Sequence, residues 1–276
     1  MKTQVKHTTK ILRLNHTDGG NESMAAKVPM GGLNTEPPQA PTNWRGITKE
    51  LVVSVSAKHI HLTQGDVEIL FGKGYELKPK AFLSSMPEQV GLHVGFASTD
   101  TVTIIGNKPG RKLENVRVLG PPRPYSQVEL AYTDALKIGI DAPVRISGDY
   151  LESATCTLIG PKGRLEMKEG VIRAWRHIHM QDAHCHYYNV KTKDLIALKV
   201  NSPMCSIILD DVMVRSMNYG EENYKLFVDL LEMPRRMEVH LDTDEGNACM
   251  LKDATSYELL KKTGENQYET LFKQEL

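Results

Sequence analysis

The sequence predicts a mainly β fold with short helices, built from two related β-units. Short apolar runs separated by glycine and proline recur along the chain, which is typical of barrels and sandwiches. The segment Thr101–Lys108 (TVTIIGNK) resembles Thr155–Lys162 (TCTLIGPK), and each continues into a second apolar run. The tripeptide His-Ile-His occurs once in each half, at His59–His61 and His177–His179. A duplicated β-unit with one histidine pair per copy is the simplest account of these repeats.

Individual elements are predicted from the period of their apolar residues. The run Leu51–Ala57 predicts a buried strand. Thr63–Phe71 predicts a short helix, because it opens with a Thr-x-x-Asp capping pattern. Further strands are predicted at Thr101–Ile105, Glu114–Leu119, Gln127–Ala131, Ala154–Ile159, Arg164–Lys168, Val171–Arg176, Leu195–Val200, Ser206–Val214 and Met237–Leu241.

Changes in composition predict the domain boundaries. Residues 1–47 carry glycine, proline and basic side chains and predict a flexible N-terminal extension, with a targeting segment or a docking helix as the alternative. The polar, turn-forming stretch Ala142–Asp149 separates a first β-barrel domain, residues 48–145, from a second, residues 146–250. Residues 251–276 predict an exposed helical tail.

Composition excludes several classes of partner. The 276 residues include 34 basic and 34 acidic side chains, so a nucleic acid is not expected as a partner. The sequence contains no apolar run of about 18 residues, so no membrane span is expected. The four cysteines form no Cys-x-x-Cys motif and no secretion signal is present, which favours a cytoplasmic protein with free thiols.

The histidine pairs are candidate metal ligands. Side chains at positions i and i+2 of a strand point to the same face, so each pair can bind one Zn²⁺ ion. A catalytic zinc site usually has three protein ligands and one open position, so a third ligand must come from elsewhere. Glu129 and His240, on other predicted strands, are the candidates.

Arg123 and an acidic cluster are the other candidate site residues. Prolines flank Arg123, and a guanidinium presented by such a rigid turn suits phosphate; an ordinary surface arginine is the alternative. Asp242, Asp244 and Glu245 follow His240 and either support a metal-bound imidazole or form a solvated loop. The solvated loop is favoured for Asp244 and Glu245.

Blocks within residues 50–250 resemble, in order, the PduL-type phosphotransacylases (phosphate propanoyltransferases). They are Val53–Thr63 (VSVSAKHIHLT), Glu114–Pro121 (ENVRVLGP), Gln127–Glu129 (QVE), Gly170–Met180 (GVIRAWRHIHM) and His240–Ala248 (HLDTDEGNA).

The resemblance implies an enzyme of two related β-barrel domains with the active site between them. It would reversibly convert propanoyl-CoA or acetyl-CoA and inorganic phosphate to acyl phosphate and CoA, by direct attack of phosphate on the thioester. Two Zn²⁺ ions per subunit are implied as cofactors, one facing the CoA sulfur and the other phosphate. By position, the implied ligands are His59, His61 and Glu129 for the first ion, and His177, His179 and His240 for the second.

The resemblance also implies the substrate contacts. Arg123 matches the phosphate-binding arginine. Lys108 is the choice for a basic CoA contact, with Arg111 almost equally good. The implied CoA contacts are Val55, Ser56, Ala57, Lys108, Arg117 and Asn247.

The chain departs from the family pattern in four places. Residues 1–47 are a long extension, Lys58 stands where an arginine often precedes the first histidine pair, Gln181–Tyr188 is a polar, irregular stretch in place of a short acidic helix, and residues 218–236 are an insertion. The resemblance implies a role in propanediol utilization. A bacterial microcompartment lumen or an organelle, with delivery directed by residues 1–47, is the alternative to the cytoplasm. Shell or core proteins would then bind the extension, and a homo-oligomer is an open alternative to a monomer.

Two other functions compete with the acyltransferase. Two metal ions also suit a zinc hydrolase acting on an ester or phosphoester. A catalytically silent scaffolding module is the third alternative, and the intact ligand set argues against it.

Overall fold

The computed structural model describes residues 47–83, 95–216 and 235–276, which are mainly β-strands. The strands are β1 Ile47–Val55, β2 His59–His61, β3 Pro79–Phe82, β4 Phe96–Ile105, β5 Lys112–Gly120, β6 Gln127–Glu129, β7 Val144–Arg145, β8 Ala154–Ile159, β9 Arg164–Ala174, β10 His177–Met180, β11 Leu195–Ser202, β12 Cys205–Ser216, β13 Arg235–Leu241, β14 Ser256–Gly264 and β15 Gln267–Glu275. The helices are α1 Gln64–Phe71, α2 Tyr132–Ile138, α3 Asp182–Tyr187 and α4 Thr243–Ala248. The predicted fold class, mainly β with two barrel-like units, is confirmed.

Six strands form a closed barrel. The order β4-β5-β2-β6-β9-β8 returns to β4, because β8 pairs with both β9 and β4. Seven further strands form a curled sheet in the order β1-β13-β10-β12-β11-β14-β15. The two short strands β3 and β7 pair with the barrel strands β4 and β9. Each of the two units has its own cluster of buried apolar side chains, which contains Ile60 in the barrel and Ile178 in the curled sheet.

The two units share a local topology around the histidine strands. β2 runs parallel to β5 and antiparallel to β6, and β10 runs parallel to β12 and antiparallel to β13. A short helix follows each of the equivalent strands: α1 and α3 follow β2 and β10, and α2 and α4 follow β6 and β13. The duplication inferred from the sequence therefore extends to strand direction and helix placement.

Each of the predicted segments, 48–145 and 146–250, contributes at least one strand to the sheet of the other. β1 pairs with β13 of the curled sheet, and β8 and β9 complete the barrel. Burial explains both positions: Leu51 of β1 packs in the core of the curled sheet, whereas Leu158 of β8 packs in the barrel core. Neither predicted segment is therefore a self-contained sheet, and the boundaries of the domains themselves stay a prediction.

The C-terminal segment forms a β-hairpin, so the prediction of a helical tail at 251–276 is wrong. β14 pairs with β11, with Leu259 opposite Leu198, and β15 pairs with β14. Leu259 is fully buried in this position, and the sheet gives it a core that an exposed helix would lack. The turn between the strands contains Asn266 at φ 56°, a conformation that asparagine tolerates better than most residues.

The helices α1 and α3 test two further predictions from the sequence. Thr63 caps α1 as predicted, and its Oγ1 accepts a hydrogen bond from the Asp66 amide at 3.1 Å. The stretch Gln181–Tyr188, expected to be irregular, contains α3, which Gln181 precedes as the N-cap residue.

The N-terminal extension, the insertion and the expected lack of a membrane span can be compared with the described residues only. The predicted extension, except Ile47, and nearly all of the insertion at 218–236 lie outside the described residues. Among those described, no helix is long and apolar enough to cross a membrane.

Candidate metal and substrate site

The first histidine pair lies with Glu129 in the barrel. Successive side chains of β2 point alternately to the cavity and to the core. His59 and His61 therefore share one face, and Ile60 between them is fully buried. Glu129 lies on β6 directly opposite His59. Potential ligand atoms of these three buried side chains lie within 4.8 Å of one another, and we call this group the barrel triad.

Hydrogen bonds orient the barrel triad. The Nδ1 atom of His59 lies 2.8 Å from the Ala57 carbonyl, which leaves Nε2 directed at Glu129 Oε2, 3.4 Å away. The side-chain amide of Gln127 donates to the other carboxylate oxygen of Glu129 at 2.6 Å. The Nδ1 atom of His61 is buried and has no partner among the described residues. A buried imidazole nitrogen without a partner, in a group that also contains a carboxylate and a second imidazole, is typical of a donor set that suits zinc.

The second histidine pair repeats this arrangement in the curled sheet. His240 lies on β13 opposite His177, the register position that Glu129 holds opposite His59. His177 Nδ1 lies 2.8 Å from the Trp175 carbonyl, and the buried Nδ1 of His179 has no partner among the described residues. Ligand atoms of His177, His179 and His240 also lie within 4.8 Å of one another, and we call them the sheet triad. Each of its members is partly exposed, unlike those of the barrel triad.

Burial keeps three of the site histidines, His61, His177 and His179, neutral. It lowers the pKa of His61 to about 2, with further lowering from His59 and Arg123. Burial is also the largest cause that lowers the pKa of His179 to about 3 and that of His177 to about 4. At neutral pH these rings therefore carry the free lone pair that a metal ion requires. The donor atoms and their spacing fit zinc in both triads.

In each unit, the residue directly before the histidine pair forms an ion pair with the helix that follows the third member of the triad. Lys58 precedes His59 and pairs with Asp134 of α2 at 3.0 Å. Arg176 precedes His177 and pairs with Glu245 of α4 at 2.6 Å. Asp134 and Glu245 each lie five residues after the third ligand of their triad, so the two braces are equivalent.

The acidic residues after His240 are structured, so the solvated loop favoured for Asp244 and Glu245 is wrong. Asp242 caps α4 and accepts a hydrogen bond from the Glu245 amide at 2.8 Å. Asp244 accepts hydrogen bonds from the amide of Thr133, at 2.8 Å, and from its hydroxyl. Because Thr133 lies in the first turn of α2, these contacts join the two helices that follow the third ligands.

Both triads line a single cavity of about 470 Å³. Arg123 also lines it; its amide donates to the Leu62 carbonyl at 2.8 Å, which fixes the turn beside the barrel triad. The Arg123 guanidinium makes one long contact, 3.4 Å to Ser147 Oγ, so most of its donors are unused by described residues. The apolar part of the lining includes Leu83, Leu119, Tyr125, Leu130 and Trp175.

The residues proposed to contact CoA divide into two groups. Val55 and Ser56 line the cavity, and the Ala57 carbonyl orients His59. Lys108, Arg117 and Asn247 are not part of the lining. Arg117 lies opposite His59 on β5 with its guanidinium bonded to the carbonyls of Ser98 and Thr99.

The remaining two, Lys108 and Asn247, are exposed. Asn247 is exposed on α4, and the preceding Gly246 packs closely against Val55. Lys108 follows β4, and its amide donates to the Ile138 carbonyl. The roles of all these residues in CoA binding stay predictions.

Sequence reasoning missed three residues at the site. Arg215 lies on β12 opposite His179 and lines the cavity. Glu238 lies opposite His179 on the other side, with its carboxylate 3.4 Å from His240 Nε2. Trp175 lines the cavity as well. The i, i+2 spacing of Glu238 and His240 is the one available signal, whereas no local motif marks Arg215.

Comparisons with known proteins agree with this geometry. A model of the phosphate propanoyltransferase family matches residues 52–252. The phosphate propanoyltransferase of Planctopirus limnophila is 48% identical over 219 residues, covering 79% of this chain and 80% of that protein. That of Thermotoga maritima is 43% identical over 201 residues, covering 73% and 84%. The chain belongs to the phosphate propanoyltransferase family of acyltransferases.

Proposed function

We propose that this chain is a two-zinc phosphotransacylase. It transfers a short acyl group between CoA and inorganic phosphate: acyl-CoA and hydrogen phosphate give acyl phosphate and CoA. One phosphate oxygen forms a bond to the carbonyl carbon, the carbon–sulfur bond breaks, and the phosphate proton ends on the CoA sulfur. The net charge of the reacting groups is unchanged, so no further reactant is required.

The observation that carries this proposal is the convergence of both triads and Arg123 on one cavity. A reaction between two bound substrates requires both reacting centres in one water-restricted space. The cavity offers a buried triad, a partly exposed triad and a guanidinium with unused donors. Membership of the family supports the same reaction.

The barrel triad and the sheet triad would each hold one Zn²⁺ ion. When bound there, zinc would supply Lewis acidity for the thioester carbonyl and would lower the pKa of the CoA thiol. The contribution of the chain is to hold the ligands ready: backbone carbonyls fix the ring orientation of His59 and His177. Gln127 fixes one oxygen of Glu129, and the neutral rings need not lose a proton before a metal binds.

Arg123 would bind the phosphate. Its backbone is tethered to Leu62, the residue that follows the His59–His61 strand, so the guanidinium position is coupled to the barrel triad. A planar guanidinium can donate two parallel hydrogen bonds to one phosphate group. That contact would orient the attacking oxygen and offset the negative charge of the dianion.

The acyl group and CoA would occupy the rest of the cavity. Val55 and Ser56 form the edge from which CoA would extend towards Ala57, Lys108, Arg117 and Asn247. The apolar side chains of Leu83, Leu119 and Leu130 suit a propanoyl or an acetyl chain.

A cytoplasmic location is proposed, with delivery to a bacterial microcompartment or an organelle by residues 1–47 as the alternative. The extension would then bind shell or core proteins of the compartment. Expression of fluorescently tagged chains with and without residues 1–46 tests this proposal. An unchanged diffuse distribution of both chains would exclude targeting by the extension.

Free thiol release from propanoyl-CoA and acetyl-CoA, with and without phosphate, tests the reaction. The zinc-loaded chain should release CoA only with phosphate, and acyl phosphate should accumulate in equal amount. Equal release without phosphate would instead identify a hydrolase. No release from zinc-loaded protein with either substrate would contradict both activities.

A further inference from the structure

Among the described residues, two arginines line the cavity, and the proposed reaction uses one of them, Arg123. Arg123 lies beside the barrel triad, whereas Arg215 lies on β12 beside the sheet triad. Arg215 is directly opposite His179 in the parallel pairing of β10 with β12. Neighbouring residues in register on adjacent strands project to the same face of a sheet, so the Arg215 side chain is directed to the cavity side with His179.

The barrel position that corresponds to Arg215 carries no charge, so an arginine at this register position occurs only beside the sheet triad. His61 pairs with Leu119 on β5, just as His179 pairs with Arg215 on β12. Both Leu119 and Arg215 line the cavity. The duplicated framework therefore presents an apolar side chain beside one metal site and a cation beside the other.

The Arg215 guanidinium has no hydrogen bond or ion pair with another residue in the described parts of the chain. Other arginines near the site are engaged: Arg176 binds Glu245 at 2.6 Å and the Asp210 carbonyl, and Arg117 binds two backbone carbonyls. A guanidinium without a partner among the described residues, beside a site that suits a divalent metal, can bind an anion there.

We propose that Arg215 is a second phosphate-binding residue, which holds the dianion against the sheet triad while Arg123 holds it from the barrel side. This inference rests on the proposed phosphotransacylase function. The two guanidiniums would bind different oxygens of one phosphate and so orient the attacking oxygen.

The variants Arg215→Gln and Arg215→Lys test the proposal in the full-length, zinc-loaded chain. Arg164→Gln is the matched control, because the Arg164 side chain is 59% exposed on the barrel strand β9, away from the cavity. Initial rates give KM separately for phosphate and for propanoyl-CoA. Equilibrium dialysis with radiolabelled phosphate gives Kd without turnover, and zinc content is measured for every protein.

Loss of a charge-assisted hydrogen bond predicts that Arg215→Gln raises the KM and the Kd for phosphate about 10- to 100-fold. The KM for propanoyl-CoA and the zinc content should stay within about 2-fold of the wild type, and Arg215→Lys should be intermediate because it keeps the charge but loses the planar fork. The Arg164→Gln control should match the wild type.

Three results would overturn the assignment. One is an unchanged phosphate Kd in Arg215→Gln. Another is a rise confined to the KM for propanoyl-CoA, which would place Arg215 at CoA. The third is a loss of zinc that accounts for the whole effect. If the wild type shows no phosphate-dependent turnover, the proposed function fails, and the dialysis of zinc-loaded proteins still decides whether Arg215 binds phosphate.

Discussion

Lys58 donates two hydrogen bonds to Asp134, at 3.0 and 3.3 Å, from the position directly before His59. This contact ties β2, the strand of the first histidine pair, to α2, as Arg176 and Glu245 tie β10 to α4. Lys58 therefore retains the bracing contact although it stands where an arginine often precedes the histidine pair. The lysine is partly exposed, so the contact should stabilise the fold only modestly.

A double-mutant cycle on this pair measures that contribution. Lys58→Met and Asp134→Asn should each lower the free energy of unfolding by about 0.5–1 kcal/mol, and the double variant should lose less than the sum. Lys58→Arg should retain the coupling. Urea denaturation of the four proteins gives the coupling energy, and strict additivity would show that the pair does not brace β2.

The two triads should lose metal independently, because their ligands lie in different sheets. Glu129→Ala should leave about one of the two proposed zinc ions per chain, and His240→Ala should leave the other. Turnover should be lost in both variants, since the proposed reaction uses both triads. Zinc content measured by mass spectrometry checks the stoichiometry.

Glu114→Ala is the control for these ligand variants, because the Glu114 carboxylate is exposed on β5 and pairs with Lys112 outside the cavity. It should retain full zinc and activity. Complete loss of both ions from Glu129→Ala would indicate that the triads form one cooperative site. Full zinc content in that variant would remove Glu129 from the ligand set.

The histidine pairs were predictable because strand spacing is local. The alternation of His59, Ile60 and His61 follows from the two-residue period of a strand, and burial of Ile60 agrees with it. The third ligands depend on register between strands that are distant in sequence, as with His177 and His240. Spacing alone could nominate them only as candidates, and the family resemblance supplied the assignment.

The exchange of strands and the C-terminal hairpin were not predictable from local patterns. β1 has the apolar pattern of any buried strand, and only its pairing with β13 assigns it to the curled sheet. Leu259, Leu260 and Leu271 are compatible with a helix, and only the pairing of β14 with β11 and of β15 with β14 shows a hairpin. α2 and α4 are too short for helical periodicity to be detected.

The buried histidines should make the metal-free chain sensitive to acid. The pKa of His61 is about 2 in the folded chain, below its ordinary value of 6.5. Between these values the unfolded chain binds a proton that the folded chain does not, so stability is greatest above pH 6.5 and falls as the pH falls. The slope is about 1.4 kcal/mol per pH unit for each such group within that window.

Urea denaturation of the zinc-free chain from pH 7 to pH 5 measures this slope. His61→Asn should remove about 2 kcal/mol of the loss over this range, because the titrating group is absent. The control is His186→Asn, since His186 is exposed on α3. An identical pH dependence in the wild type and His61→Asn would show that His61 is not held neutral by the fold.

Gln274 of β15 should stabilise the free edge of β1. Its side chain accepts a hydrogen bond from the Leu51 amide at 2.8 Å and donates one to the Leu51 carbonyl at 3.0 Å. β1 and β15 are the two edges of the seven-stranded sheet, so this amide bridges edges that no backbone pairing joins. Because β1 leads directly to His59, the bridge also supports the start of the barrel triad.

Gln274→Ala should lower the free energy of unfolding by about 1–2 kcal/mol, since two hydrogen bonds to a partly buried backbone are lost. Gln274→Glu should fall between Ala and the wild type, because a carboxylate accepts from the Leu51 amide but cannot donate to its carbonyl. Lys273→Ala, at an exposed neighbouring position, is the control. Hydrogen exchange of the Leu51 amide should quicken in Gln274→Ala alone. Equal protection of this amide in the wild type and all three variants would mean that β13 holds β1 without the Gln274 bridge.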